Sequence, residues 1–191
     1  MSQDLGAVAW PVRTARLSLR PATPDDADAV WRVRRRPGVD EWLSHTVGER
    51  DPYVVRFRDP ARLAVTLVIE KDGEVIGDLM LQVEDSWAQD ELERPRQATL
   101  GWVLNPEHGG HGYATEAVAE LVRICFDDLG LRRVRAVCFT ENEPSWRLME
   151  RLGMRREEHS VGDALHRSRG WLDGYTYALL ADEWRARQRP A

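Results

Sequence analysis

Three glycines in four residues, Gly109, Gly110 and Gly112, separate an apolar run ending at Asn105-Pro106 from a long amphipathic run that begins at Tyr113. Glycines let a chain curl into a concave nest of inward-pointing N–H groups. A helix starting at Tyr113 adds the unpaired amides and positive dipole end of its first turn. Together they make an anion site suited to phosphate or pyrophosphate. A plain tight connection needs one glycine, so the clustering favours the anion reading. A P-loop requires Gly-Lys-Ser/Thr at the helix start, whereas Gly112 is followed by Tyr113-Ala114. A dinucleotide fingerprint requires a third glycine and an acidic residue near position 132; Thr115 and Arg132 stand in those places.

Other reactive residue types are sparse. His108 and His111 have no third ligand placed nearby, so no metal site is expected. The two cysteines, Cys125 and Cys138, fall on the apolar face of a predicted helix and in a predicted strand. They read as small reduced hydrophobes, consistent with a cytoplasmic protein. The formal net charge of -5 argues against a nucleic-acid partner. The basic cluster Arg32, Arg34, Arg35 and Arg36 reads as the solvated end of a helix. No apolar stretch approaches the length of a membrane span, and the N-terminus lacks the pattern of a secretory signal.

The elements that must position the loop follow from periodicity. With 191 residues, 42% hydrophobic and 31% charged, the chain reads as a single domain over 1–191. Residues 16–23 form a first strand, and Thr23 or Pro24 opens a helix that Pro37-Gly38 stops. Residues 39–62 read as short helical pieces bordering a site. Residues 63–84 form a hairpin about Lys71-Asp72-Gly73, since Asp-Gly supplies the positive φ angles of a tight turn. Residues 84–97 form an exposed excursion. Strand 98–104 precedes the glycine loop, and helix 113–129 follows it, with Gly130 as its C-terminal residue. Strand 133–139, a helix over 145–152 ended by Gly153, and strands 154–158 and 171–180 with a polar loop between them complete the order. The tail from Ala181 reads as a short charged helix. The connection from 98–104 through the long helix to 133–139 predicts one parallel, right-handed βαβ unit. The rest is antiparallel, giving an α+β class.

Residues 105–157 resemble the GNAT acyltransferase superfamily, closest to its RimJ/RimL-type branch of ribosomal-protein N-terminal acetyltransferases. Two motifs in order carry the resemblance. The first is the pyrophosphate loop Q/R-x-x-G-x-G/A, matched by Gly109-x-x-Gly112-x-Ala114, with Gly109 in the Gln/Arg position. The second is Asn142-Glu143-Pro144-Ser145-Trp146-Arg147-Leu148-Met149-Glu150-Arg151-Leu152-Gly153-Met154, similar to N-x-x-S-x-x-x-x-x-x-x-G-[FM]. The opening RLxLRPxTxxD also matches. The resemblance implies a GNAT fold, a mostly antiparallel mixed sheet with a splayed parallel strand pair flanked by helices. It implies acetyl-CoA as co-substrate, with no metal. Backbone groups of Trp102, Val103 and Leu104 would pair with the acetyl and pantetheine arm. The amides of Gly109, Gly110, His111, Gly112, Tyr113, Ala114 and Thr115 would hold the pyrophosphate, and Asn142 would bond the pantetheine. His111 could stand in for the missing Gln/Arg side chain.

The implied chemistry is amine attack on a thioester, which requires a neutral amine, a donor to the thioester oxygen and a proton for the leaving thiolate. Met149 occupies the position where many GNATs carry a tyrosine acid. In the RimL-like branch the serine three residues after the asparagine is proposed for that task. Here this is Ser145, which reads equally as a helix N-cap. Asp163 lies near the carboxylate that such members carry in their last loop; Glu84, Asp85 and His159 are rival bases, and a water chain could replace them. The cleft would be bordered by 39–62, 84–97 and 159–170. Asp85, Asp90, Glu91, Glu93 and Asp163 there form an acidic rim that would suit a cationic amine, and Trp42 and Trp87 would supply apolar walls. The expected acceptor is a primary amine, on a protein N-terminus or a small molecule. A homodimer is compatible with eight tryptophans. The alternatives are a non-catalytic CoA-binding module and a nucleotide-binding oxidoreductase.

Overall fold

A computed structural model describes residues 5–43, 46–90 and 96–188. Fourteen helices and strands matter to the site. They are β1 (Val12–Arg13), β2 (Ser18–Pro21), α1 (Ala27–Arg34), α2 (Arg50–Phe57), α3 (Pro60–Leu63), β3 (Thr66–Lys71), β4 (Glu74–Glu84) and β5 (Gln97–Leu104), then α4 (Tyr113–Arg123), β6 (Arg133–Phe139), α5 (Glu143–Arg151), β7 (Arg155–His166), β8 (Gly170–Leu180) and α6 (Ala181–Gln188). The strands form one sheet in the order β1-β2-β3-β4-β5-β6-β8-β7. Among the described residues only β5 and β6 pair in parallel; the other pairs are antiparallel. The mixed α+β class with one parallel pair is as expected.

The sheet is covered on both faces. Ala117, Val118, Leu121 and Cys125 from α4 and its wider continuation Ile124–Asp128 pack with Leu148 and Met149 of α5 on strand residues such as Leu79, Ala98 and Val134. Val118 and Leu121 are fully buried, and burial of such a side chain contributes about 1.5–3 kcal/mol. On the opposite face Val30 of α1 and Tyr53, Val54 and Phe57 of α2 cover Val68. The β3–β4 turn uses Asp72 and Gly73 at φ 51° and 81°, as the Asp-Gly signal predicts. The entry to α1 is fixed by Asp26, whose carboxylate accepts the Thr23 amide at 2.7 Å and is gripped by Arg20 at 2.8 Å.

The element that opens the site is the split between β5 and β6. Their pairing is confined to Gln97–Arg133, Ala98–Val134 and Thr99–Arg135. Beyond Thr99, β5 stays with β4 as far as Leu104, while β6 stays with β8 as far as Phe139. The sheet therefore parts into a wedge. Gly77 permits the close fit of β4 on β5: a Cβ there would lie 2.3 Å from the Val103 carbonyl oxygen.

Two expectations are corrected. The polar segment predicted as a loop between the last strands is mostly strand: β7 runs on to His166, pairing with β8 across a shift between Ser160 and Ala164. Helix α5, expected from Ser145, starts at Glu143, so the N-cap position belongs to Asn142 and Ser145 lies inside the first turn. Among the described residues no helix is long and apolar enough to cross a membrane, and no group of three or more His, Cys, Asp or Glu residues is placed to hold a metal ion.

Candidate active site

The glycine loop bridges the end of β5 and the start of α4. Asn105 is buried and ends β5, its side chain accepting the Glu107 amide at 3.2 Å. A single turn, Pro106–His108, leads to Gly109. A Cβ on Gly109 would lie 2.9 Å from the Pro106 carbonyl oxygen, so a side chain at the motif's Gln/Arg position would crowd this turn. Gly109 lines the cavity, but its own amide already donates to Pro106 at 2.9 Å. Gly110 and Gly112 adopt φ 76° and 79°, conformations that suit glycine. Among the described residues, no protein acceptor meets the amides of Gly110, His111, Gly112, Tyr113, Ala114 or Thr115. Six adjacent N–H groups without a protein acceptor at a helix start are an arrangement that suits an anion.

The loop is braced from the N-terminal segment, a feature that the motifs did not indicate. Arg16 lies over the Tyr113 ring at 4.5 Å, donates to the His111 carbonyl at 2.9 Å and pairs with Glu116 at 2.6 Å. Burial disfavours the Glu116 charge, but Thr14 and Arg16 together hold its carboxyl below the usual range. His111 is turned away from the cavity: it is exposed, stacks on Tyr113 and meets the Gly109 carbonyl at 2.7 Å. Arg151 of α5 lines the cavity beside the loop and donates to the Thr115 hydroxyl at 3.4 Å.

Two cavities meet at the wedge. One, about 780 Å³, runs from Trp102, Val103 and Leu104 along the loop to Arg151. The other, about 460 Å³, lies over the centre of the sheet among Arg34, Arg62, Thr66, Asp78, Met80 and Cys138. They share Trp42, Leu43, Trp102, Val103, Asn142 and Ser145. At that junction the side of β5 facing β6 has no strand partner beyond Thr99. The Asn142 side chain makes no capping bond despite its N-cap position. Asn142 and Ser145 line both cavities.

Trp42 is the apolar wall expected of it, held edge-on to the buried His166 at 6.0 Å and tilted against Phe139 at 6.1 Å. Trp87 is 97% exposed and lines neither cavity. Cys138 lines the second cavity, and burial pushes its thiol up to about 11, leaving it an inert neutral wall. Arg34 and Asp78 form a buried bidentate pair on its floor, with Arg34 Nε 2.9 Å from the carboxylate. Burial acts against the Arg34 charge, but Asp78 outweighs it and holds the guanidinium above its ordinary value.

None of the four candidate bases lines either cavity. Glu84 accepts the Thr99 hydroxyl at 2.8 Å and Arg135 at 3.2 Å. Asp85 pairs with Arg96 at 2.6 Å, and His159 meets Asp173 at 3.0 Å. Asp163 is exposed on the irregular stretch of β7, beside Ala164, which does line the second cavity. Of the proposed acidic rim, Asp85, Asp90 and Asp163 are exposed and line neither cavity, while Glu91 and Glu93 lie outside the described residues.

Comparison with known proteins identifies the family of this fold. Residues 16–155 match the model of the acetyltransferase (GNAT) domain. The chain is 40% identical over 85 residues to the uncharacterized N-acetyltransferase YnaD of Bacillus subtilis, covering 44% of this chain and 49% of that one. An acetyltransferase of the GNAT family from Bacillus anthracis superposes with a TM-score of 0.77 at 27% identity, covering 90% of this chain and 99% of that one. The same fold, at 16% identity and a TM-score of 0.77 over 91% and 98% of the two chains, occurs in the RimL ribosomal L7/L12 alpha-N-protein acetyltransferase solved with coenzyme A. The domain match covers well over half of the chain, and this chain belongs to the GNAT acetyltransferase family.

Proposed function

We propose that the protein transfers an acetyl group from acetyl-CoA to a primary amine by direct attack in a ternary complex. The meeting of the two cavities at Asn142 and Ser145, beside the unpaired edge of β5, carries this reading. The larger cavity is assigned to the donor. Its pyrophosphate would take the amides of Gly110 to Thr115 with Arg151 adding charge, and its arm would lie along Trp102, Val103 and Leu104 as an added strand, with Asn142 bonding the arm. The second cavity is assigned to the amine.

In the reaction the amine nitrogen attacks the thioester carbonyl carbon and the C–S bond breaks. Backbone N–H groups of β5 stabilise the charge that develops on the oxygen. The sulfur leaves as a thiol with a proton from the Ser145 hydroxyl, which solvent restores. The amine proton passes to water at the mouth, where Asp163 on β7 can accept it. Holding both reactants at one junction supplies much of the acceleration. A thiol-release assay on acetyl-CoA with a panel of primary amines tests this. Release that depends on the amine and falls in Ser145→Ala, with CoA affinity retained, is expected. Tight CoA binding without release for any amine would leave a CoA-binding module in place of the enzyme.

A further inference from the structure

The acceptor cavity is positive, not acidic. Arg62, on α3, lines it and also lines a smaller adjoining cavity of about 300 Å³ with Arg34, Leu43, Thr46, Val47, Tyr53 and Arg56. Among the described residues Asp78 is the carboxylate on these walls, and Arg34 engages both its oxygens. Arg62 has no carboxylate partner among the described residues. Its guanidinium lies over the rings of Tyr53 at 5.5 Å and Phe57 at 5.7 Å, which supports the cation but accepts no N–H bond in the guanidinium plane. Its Nε and the hydroxyl of Tyr53, on the wall of the smaller cavity, are buried with no hydrogen-bond partner of good geometry, and the two side chains lie close enough that Arg62 partly offsets the rise that burial imposes on the Tyr53 phenol. Two buried donors without acceptors, one of them charged, are rare in a native protein and costly unless a ligand satisfies them.

We propose that the acceptor amine carries an oxyacid anion, a carboxylate or phosphate, that is bound by Arg62 with the Tyr53 hydroxyl. This deepens the assignment of the second cavity as the amine site and rests on it. A planar guanidinium presents paired donors that match either oxyanion. The same positive surroundings favour the neutral, nucleophilic form of an amine held nearby. They disfavour a polycationic acceptor, contrary to the acidic rim expected from the sequence.

The test has two readouts. The first is the Arg62 Nε–H resonance of the CoA-loaded protein, assigned by its loss in Arg62→Gln, during addition of acetate, inorganic phosphate or spermidine. The second is kcat/KM for matched amines: amino acids against their amides, phosphoethanolamine against ethanolamine, and spermidine. Expected are a saturable shift with an anion and none with spermidine. The anionic member of one pair is preferred by about tenfold or more, the preference falling to parity in Arg62→Gln and partly surviving in Arg62→Lys. The pair that shows the preference separates carboxylate from phosphate. Absence of a shift with both anions overturns the proposal, as does preference for the amides or for spermidine that Arg62→Gln leaves unchanged. A shift with no turnover of any amine removes the transferase reading and, with it, the acceptor role, leaving only an anion site at Arg62.

Discussion

Replacing Gly112 by alanine isolates the contribution of the loop's backbone. Gly112 sits at φ 79° immediately before α4. An L-residue in that conformation costs about 1–2 kcal/mol. Space does not add to this: the nearest atom to an added Cβ is Arg16 Nη2 at 3.6 Å, an ordinary contact. If the amides of Gly110 to Thr115 grip the pyrophosphate, a loop that relaxes towards negative φ loses aligned donors. The same 1–2 kcal/mol then appears as about a 5–30-fold weaker CoA complex. Titration calorimetry with CoA and with pantetheine, which lacks the pyrophosphate, reads this directly. CoA should weaken while pantetheine does not. Gly130→Ala is the control, since Gly130 has φ 62° and open space around it at the far end of the same helix. Gly130→Ala should melt about 2–8 °C below wild type and keep its CoA affinity, whereas Gly112→Ala, with its loop relaxed, should keep its melting point and lose CoA affinity. A CoA affinity within about twofold of wild type in Gly112→Ala, at an unchanged melting point, would refute the amide cradle.

Ser145→Ala should lower kcat about a hundredfold or more if the hydroxyl protonates the thiolate; unchanged steady-state kinetics would remove Ser145 from the chemistry. Gly77→Ala drives a Cβ to 2.3 Å from the Val103 carbonyl oxygen. It should cost about 1–3 kcal/mol in chemical denaturation and raise KM for acetyl-CoA, because β5 must shift; a wild-type KM would show that the wedge tolerates the move. Asp26 links pH to stability. Its burial disfavours the charge, but Arg20 and Thr23 outweigh it and hold the carboxyl below the ordinary aspartate range. The stabilisation is complete above about pH 4 and is lost as pH falls through the lower folded-state value. Asp26→Ala should therefore be about 3 kcal/mol less stable than wild type at pH 7, with the gap narrowing below pH 4. A gap constant down to pH 2.5 in thermal melts would contradict the linkage.

How legible these features were in the sequence depends on whether their cause is local. The β3–β4 hairpin and α4 were legible because the Asp72-Gly73 turn and the apolar stripe from Ala117 to Cys125 impose their conformations locally. The continuation of β7 to His166 was not. Arg155 to His159 are exposed on this edge strand and the hydrophobic alternation is missing; pairing with β8 is what makes it a strand. The left-handed turns of the glycine loop at Gly110 and Gly112 were legible, since residue type and spacing suffice for them. The Arg34–Asp78 pair, the brace from Arg16 to Tyr113 and the reach of Arg151 to Thr115 join segments far apart in the chain, and only tertiary closure brings them together. Charge counting along the cleft segments pointed to acid, but among the described residues Asp85, Asp90 and Asp163 are exposed and line neither cavity, whereas Arg62 lines one. Exposure distinguishes Trp42 from Trp87, and residue type does not.

Amide hydrogen exchange with and without CoA tests the central claim most directly. New protection should appear at Trp102, Val103 and Leu104 and at Gly110 to Thr115, with the β7–β8 hairpin unchanged. Protection elsewhere, or CoA binding that leaves those two segments exchanging as before, would contradict the placement of the donor in the wedge.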